Sequence, residues 1–419
     1  MIIKNIKIFT PDKSFRPGEI IIRNDIIENV VLQSDAGAAG DGIVPVNEAG
    51  KDGDEEVIDG DGCYCIPGMI DLHFHGCMGC DFSDGSKEAL QKIADYEASV
   101  GVTAIVPASM TLPVEELQNV LKTAKEFRQE QLAGKRGGAD LLGVNMEGPF
   151  ISKVKKGAQN ERYIIPADIE TFRELCKAGE GMIKFIGLAP EEVSREQAET
   201  FIQAVKADVT VALAHTNADY DRAKSAFEAG ASHLIHLYNA MPPFHHREPG
   251  VIGAAAEGRA VTAEIICDGV HVHPSAVRAA FSLFGEERLI FISDSMRAAG
   301  MPDGRYLLGG QEVVVNGNQA LLAGNGALAG SVTNLPDCVR NAVKNMGIPL
   351  ETAVACATMY PAKVLKEEKR YGSIEPGKQA DLVLWDENLE LKRVIIKGKF
   401  KFVMLTHDAH LAARTPRRS

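Results

Sequence analysis

The chain has 419 residues, of which 45% are hydrophobic and 24% are charged, and its formal net charge is −12. This composition is ordinary for a globular protein, the length suffices for one large domain with a smaller one, and the negative charge argues against nucleic acid or an anionic membrane as a partner. No apolar segment approaches the ~20 residues of a membrane span and the N-terminus lacks a signal-peptide pattern, so we expect a cytoplasmic protein.

Both ends of the chain have β-strand patterns. Strands are predicted at residues 2–9, 18–23, 26–32 and 57–65, and again at 381–385, 394–396 and 399–404. Between the early strands, residues 34–56 are rich in Gly, Ala and Asp without periodicity, which predicts a surface loop. We therefore predict that residues 1–65 and 372–405 form one small β-sandwich domain, with a tail at 406–419.

Residues 66–371 alternate between short apolar runs and amphipathic segments. The runs predict strands at 69–75, 102–107, 141–146, 182–188, 209–214, 233–237, 262–267 and 289–293, and the segments predict helices at 86–100, 113–133, 191–206, 218–229, 274–284, 335–345 and 351–365. Eight strands in such an alternation predict an α/β fold with a (β/α)8 TIM-like barrel. A doubly wound open sheet is the alternative, but its Gly-rich phosphate loop is missing after the first strand.

Residues able to bind metal follow several of the predicted strands. His73 and His75 close the first strand, and the ends of later strands carry Glu147, His215, His236 and Asp294. Active sites of such barrels lie at the carboxyl ends of the strands, so these side chains are expected to meet there. The set suits one or two divalent ions; zinc is the first choice, and iron, manganese or cobalt remain open. For an isolated pair such as His73 and His75, buried histidines bonded to carbonyl groups are the simpler interpretation.

The remaining histidines of the barrel region have weaker signals. His233 lies three residues before His236 in one predicted strand, so we expect it to point to the opposite face and to be structural. His271 and His273 follow the seventh strand, and the strand-end rule places at least one of them in the pocket.

The eight cysteines are expected to be reduced, because the chain lacks a secretion signal. Cys77 and Cys80 have the spacing of half a zinc or redox site. No second pair follows at the spacing of a zinc finger, which favours separate thiols over a ligand pair.

Several segments together resemble the N-acetylglucosamine-6-phosphate deacetylase family of the amidohydrolase superfamily. They are residues 67–76 (Pro-Gly-Met-Ile-Asp-Leu-His-Phe-His-Gly), 145–150 (Asn-Met-Glu-Gly-Pro-Phe), 214–216, 236–241 (His-Leu-Tyr-Asn-Ala-Met), 247–250, 268–271 and 293–295. The resemblance covers nearly the whole chain, and the Glu-Gly-Pro-Phe and His-x-x-Asn-Ala-Met motifs are far more specific than His-x-His. It implies hydrolysis of the acetamide of a phosphorylated amino sugar, with release of acetate.

The resemblance also implies roles for individual residues. Glu147, His215 and His236 match the principal metal ligands of the family, His73 and His75 match a second pair that is incomplete in some members, and Asp294 matches the catalytic acid/base. Substrate contacts match Asn239, the backbone of Ala240, His271 and Arg247, and residues 328–331, including Leu328 and Ala329, resemble a loop that closes over the sugar. In the family the arginine reaches the neighbouring subunit, which implies a homodimer, and His245 and His246 add to this basic patch.

Three points stay open at this stage. Residues 188–190 (Leu-Ala-Pro) offer no lysine that could bridge two metals, so Glu147 is the only evident bridging group. The motifs cannot distinguish N-acetylglucosamine from N-acetylgalactosamine 6-phosphate, although they weigh against the cyclic amides of dihydroorotase-like enzymes. A non-catalytic barrel that serves as an assembly protein is the alternative from another class.

Overall fold

The computed structural model describes residues 1–33 and 56–401. The predicted loop at 34–56, except its last residue, lies outside the described residues. So do the end of the last predicted strand and the tail at 406–419.

Strands from both ends of the chain form one eight-stranded sheet. Its members are Ile2–Phe9, Phe15–Arg23, Ile26–Leu32, Val57–Asp59, Tyr64–Pro67, Leu382–Trp385, Leu391–Ile396 and Lys399–Lys401. The strand Tyr64–Pro67 joins the two ends, because it pairs with Ile2–Phe9 on one side and with Leu382–Trp385 on the other. The sheet buries a core of its own, which includes Ile3 and Ile395. The predicted sheet from both termini is thus present, while the exact domain boundaries stay a prediction.

Eight parallel strand segments follow one another around a barrel. They are Met69–Asp71, Val102–Ile105 continued by Ala108–Ser109, Asp140–Leu141 continued by Val144–Phe150, Ile183–Leu188, Thr210–Leu213, His233–Leu234, Thr262–Ile266 and Leu289–Ile292. The last and first segments are joined beyond their ends, where the Asp294 amide donates to the His73 carbonyl (2.9 Å) and Ser293 Oγ donates to Asp71 Oδ2 (2.6 Å). The strands are buried on both faces, which explains their continuous apolar runs. The predicted (β/α)8 class is confirmed.

Helices connect these strands and cover the barrel. They are Lys87–Val100, Val114–Leu132, Ile169–Gly179, Arg195–Val205, Tyr220–Ala229, Gly250–Glu257 and Pro274–Phe284, followed by Leu335–Met346, Leu350–Ala357 and Met359–Val364. Ile169–Gly179 and Gly250–Glu257 were not predicted; the second is almost wholly buried and rich in Gly and Ala, so it lacks an amphipathic period. The predicted helix at 351–365 is divided at Thr358. Within the described parts of the chain, no helix has the length and apolar character of a membrane span.

An insertion after the last barrel strand forms a small antiparallel sheet that was not predicted. Its strands are Gly304–Leu308, Gln311–Asn316 and Gln319–Leu322. The sheet packs on Met110 and Met296 of the barrel through a separate apolar cluster. It therefore lies against the carboxyl ends of the strands, where the candidate site is expected.

A buried polar network ties the barrel to the terminal sheet. Asp140, in the third barrel strand, accepts hydrogen bonds from Tyr371 Oη (2.7 Å) and Lys397 Nζ (2.7 Å). Asp381 accepts from the Lys397 amide (2.8 Å) and from Gln379 Nε2 (2.7 Å). Burial, assisted by the Asp140 carboxylate, raises the pKa of Asp381 from 3.8 to about 6.

Because of this raised pKa, the unfolding free energy should depend on pH, and Asp381→Asn should reduce that dependence. The folded protein holds the Asp381 proton between about pH 4 and pH 6, whereas the unfolded chain does not, so this stabilisation is complete below pH 4 and is lost as the pH rises through 6. Wild type should therefore lose up to about 3 kcal/mol of unfolding free energy relative to the variant between pH 4 and 7. Urea unfolding across this range measures the difference, with the exposed Asp61→Asn as a control expected to run parallel to wild type. Parallel curves for Asp381→Asn would contradict the prediction.

Candidate metal centre and active site

A cavity of about 220 Å³ opens at the carboxyl ends of the barrel strands. The predicted site residues that line it are His75, Glu147, His215, His236, Asn239, Ala240, His271, Asp294, Leu328 and Ala329. His73 is fully buried beside them. Arg247 is the one predicted site residue that lines a different cavity, which has a volume of about 740 Å³.

The backbone turns sharply where the strands deliver these side chains. His215, His236 and Asp294 each lie two residues beyond the end of a strand and have left-handed φ values of 44°, 31° and 48°. Glu147 lies inside the strand Val144–Phe150, and a Cβ added to the neighbouring Gly187 would lie 2.1 Å from the Glu147 carbonyl oxygen. The strand that pairs with the Glu147 strand therefore requires glycine at position 187.

Four histidines of the site share one hydrogen-bonding pattern. Each has its Nδ1 against an oxygen that can only accept: His73 on Glu264 (2.8 Å), His75 on the Ala108 carbonyl (3.2 Å), His215 on the Lys155 carbonyl (2.8 Å) and His236 on the Asn239 carbonyl (3.1 Å). Nδ1 must then carry the proton, and the neutral ring has its lone pair on Nε2. All four rings are prepared to bind a cation through Nε2.

The four Nε2 atoms converge on Glu147. His215 and His236 lie 2.8 and 2.9 Å from Glu147 Oε1, and His73 lies 3.6 Å from the same oxygen. His75 Nε2 lies 3.4 Å from Glu147 Oε2. The donor atoms form two groups, His73–His75–Glu147 and Glu147–His215–His236, and within each group they lie within 4.8 Å of one another. Glu147 is common to both.

This donor set fits a divalent metal ion. His73 Nε2 and Asp294 Oδ1 are buried, lack hydrogen-bond partners and lie 3.7 Å apart. Burial lowers the pKa of His73, but the Glu264 and Glu147 carboxylates outweigh it and raise the pKa to about 10. The cluster thus favours positive charge, and imidazole nitrogen with carboxylate oxygen is a ligand combination that divalent transition metals accept. Among the described residues, no cysteine belongs to either donor group.

Asp294 is almost fully buried at the edge of this cluster. Its Oδ1 lies 3.4 Å from His75 Nε2. Burial raises the pKa of Asp294, but the nearby His75, His73 and His236 rings outweigh it and lower the pKa below its ordinary value. Asp294 is therefore ionised at neutral pH and can accept a proton.

His271 is held as a cation in the lining of the cavity. Its Nδ1 lies 2.7 Å from Asp268 Oδ2 and its Nε2 lies 2.9 Å from the Ala329 carbonyl, so both ring nitrogens face acceptors. Burial lowers the pKa of His271, but the bond to Asp268 outweighs it and raises the pKa to about 9. His271 thus fastens the loop at Ala329 over the cavity.

Glu264 is a buried residue of the site that the sequence reasoning missed. Its Oε2 accepts from His73 Nδ1, and its Oε1 accepts from His233 Nε2 (3.1 Å). An acidic residue inside the apolar run 262–267 was the available signal.

The expectation that His233 points away from the site was wrong, because its strand ends at Leu234 and the two-residue period does not extend to His236.

Gln159 is a second site residue without a prediction. Its Nε2 donates to Glu147 Oε2, and its Oε1 accepts from the Thr111 amide (2.7 Å). It lies in the long connection after the third barrel strand, where no periodic pattern drew attention to it.

Arg247 lies on the surface beside the site. Its Nη1 is 2.8 Å from His246 Nε2, and the His245 and His246 rings contact each other at an angle of 48°, with centroids 4.3 Å apart. All three residues are exposed, so the basic patch exists but faces outward.

The fold and the donor set are those of a metal-dependent hydrolase. The model of the amidohydrolase family matches residues 64–401, and the chain belongs to that family. It is 38% identical to an N-acetylglucosamine-6-phosphate deacetylase from Bacillus subtilis over 82% of this chain and 86% of that protein. It is 36% identical to an N-acetylgalactosamine-6-phosphate deacetylase from Escherichia coli over 80% and 86%.

A solved structure extends the similarity to the fold. The N-acetyl-D-glucosamine-6-phosphate deacetylase from Mycobacterium smegmatis, a mutant in complex with N-acetyl-D-glucosamine 6-phosphate, superposes with a TM-score of 0.81 at 30% identity. The match covers 96% of this chain and 98% of that one.

Proposed function

We propose that this protein hydrolyses the acetamide of N-acetyl-D-glucosamine 6-phosphate to D-glucosamine 6-phosphate and acetate. One observation carries the proposal: the Nε2 atoms of four imidazoles converge on Glu147 beside an ionised Asp294. The 38% identity to a deacetylase of this substrate supports the choice of sugar.

The metal is proposed to be zinc, with one or two ions per chain. Glu147, His215 and His236 would hold one ion, and His73 and His75 with Glu147 would hold a second. When bound, such an ion lowers the pKa of a water molecule and polarises a carbonyl oxygen. Buried, mixed imidazole and carboxylate donors support zinc over magnesium or calcium, which prefer oxygen ligands.

The chain's own residues would move the proton and position the substrate. Asp294 would accept the proton of the attacking water and return it to the nitrogen of the leaving amine. The His271 cation would add positive charge near the acetamide oxygen. Asn239 and the backbone of Ala240, which has a left-handed φ of 52°, also line the cavity and would contact the phosphate.

Arg247 is proposed to complete the phosphate site of the neighbouring subunit in a homodimer. Its outward position and its absence from the lining of this chain's own cavity support an action in trans. Because charged hydrogen bonds to phosphate contribute roughly 1.5–3 kcal/mol, Arg247→Ala should raise KM about 10–100-fold with little change in kcat. Steady-state kinetics beside the surface control Arg195→Ala measures this, and an unchanged KM would remove Arg247 from the phosphate site.

Mixed dimers distinguish action in trans from action in cis. A dimer of one Arg247→Ala subunit and one Asp294→Asn subunit keeps one complete site if the arginine crosses the interface. It keeps none if the arginine serves its own chain. Recovery of activity on mixing the two inactive or weakened variants therefore supports the homodimer, and no recovery excludes the crossing.

The function itself is tested by release of free amine from three sugars, with and without a chelator. The sugars are N-acetylglucosamine 6-phosphate, its galactosamine epimer and unphosphorylated N-acetylglucosamine. Chelator-sensitive turnover of the first alone supports the proposal. Preference for the epimer would favour the second candidate, which the 36% identical relative supports. Metal-loaded protein that turns over none of them would favour the non-catalytic alternative.

A further inference from the structure

We infer that Glu264 is a positioning residue that holds His73 in the tautomer and orientation able to bind a metal ion, so that it determines the affinity of the His73–His75 half of the centre. The inference rests on the function proposed above, but it concerns a residue outside the cavity lining. Glu264 is completely buried in the strand Thr262–Ile266.

Every acceptor position of Glu264 is in use. Oε2 accepts from His73 Nδ1 (2.8 Å) and from the His236 amide (3.2 Å). Oε1 accepts from His233 Nε2 (3.1 Å) and from Asn145 Nδ2 (3.4 Å). Four donors surround one carboxylate. A glutamine at position 264 would place its NH2 group, which can only donate, against two of these donors.

His73 depends on this contact more than the other three histidines depend on theirs. The Nδ1 partners of His75, His215 and His236 are backbone carbonyls, which no substitution removes. The partner of His73 is a side chain, and its Nε2 has no hydrogen bond that could fix the ring instead. A carboxylate behind a ligating histidine fixes the ring and strengthens the ligand.

A purely structural role for Glu264 makes a different prediction. The network continues from Glu264 through His233 to Thr262, whose Oγ1 lies 2.7 Å from His233 Nδ1. Thr262→Val disturbs this buried chain of hydrogen bonds without touching His73. If Glu264 only stabilised the barrel, Thr262→Val and Glu264→Gln should affect metal binding alike.

The experiment counts zinc ions per chain at buffered free metal concentrations for wild type, Glu264→Gln and Thr262→Val in the full-length protein. We expect two ions in wild type and Thr262→Val, and a second ion bound about 10–100-fold more weakly in Glu264→Gln. In a His73→Ala background, Glu264→Gln should cause no further loss. Equal binding by wild type and Glu264→Gln, a single ion in wild type, or a further loss in the double variant would each overturn the inference.

Nitrogen-15 NMR of the zinc-loaded wild type gives a second test, which involves no substitution and therefore no folding defect. It should show His73 protonated at Nδ1 and not at Nε2 in the neutral ring, and the reverse tautomer would overturn the inference. Neither measurement depends on the sugar. A protein that binds two ions, the second dependent on Glu264, but hydrolyses no acetamide would refute the proposed function alone.

Discussion

Asp294→Asn is expected to lower kcat by about 10³-fold or more while the metal content stays close to that of wild type. General acid–base catalysis contributes up to about 10⁴-fold, and here one carboxylate would serve both the attack and the departure of the amine. Asparagine keeps the size of the side chain but cannot accept the proton. Asp294 belongs to neither of the two tight donor groups, so its loss should spare the ions.

Amine release and elemental analysis of the same preparation test this expectation, with Asp61→Asn as a surface control for the chemical change. Loss of metal together with activity would assign Asp294 primarily to metal binding. Activity within tenfold of wild type would remove it from the proton transfer altogether.

Glu147→Gln is expected to abolish activity by a different route, because the metal content should fall well below one ion per chain. Glu147 is the one residue shared by both donor groups, and its oxygens lie 2.8–3.6 Å from four imidazole nitrogens. A neutral amide offers a weaker ligand and leaves the ions without a bridging charge. Since metal activation supplies several kcal/mol, turnover should drop by roughly 10³-fold or more.

Glu116→Gln is the matched control for this variant. It makes the same chemical change at an exposed position outside both donor groups, so its metal content should equal that of wild type. A Glu147→Gln protein that retained one tightly bound ion would show that one half of the centre does not depend on this carboxylate.

The sequence patterns were sufficient for the barrel because buried parallel strands are continuous apolar runs, and these recur eight times between 69 and 293. They missed the inserted sheet although its turns carry hairpin signals, Gly309-Gly310 and Asn316-Gly317, between short apolar segments. The helix Gly250–Glu257 was not predicted because a helix buried on nearly all sides has no polar face to mark its period.

The sequence predicted the candidate ligands that lie at strand ends. It did not predict the buried residue that contacts one of these candidate ligands from behind. His215, His236 and Asp294 each lie two residues after a strand, where the strand-end rule places functional side chains. Glu264 lies within its strand, and only the three-dimensional structure shows that its side chain reaches His73. The role proposed for Arg247 would depend on a second subunit, which no pattern within one chain describes.

The left-handed backbone at His215, His236 and Asp294 lowers the folding stability of this enzyme at positions whose side chains its activity would need. Each such conformation costs a non-glycine residue about 1 kcal/mol or more, so the three together cost roughly 3 kcal/mol, a large share of the 5–15 kcal/mol that stabilises a typical domain. Glycine at these positions would relieve the backbone and remove the donors. Selection for thermal tolerance alone would therefore tend to erase these side chains, and a stabilised variant must be screened for turnover at every round.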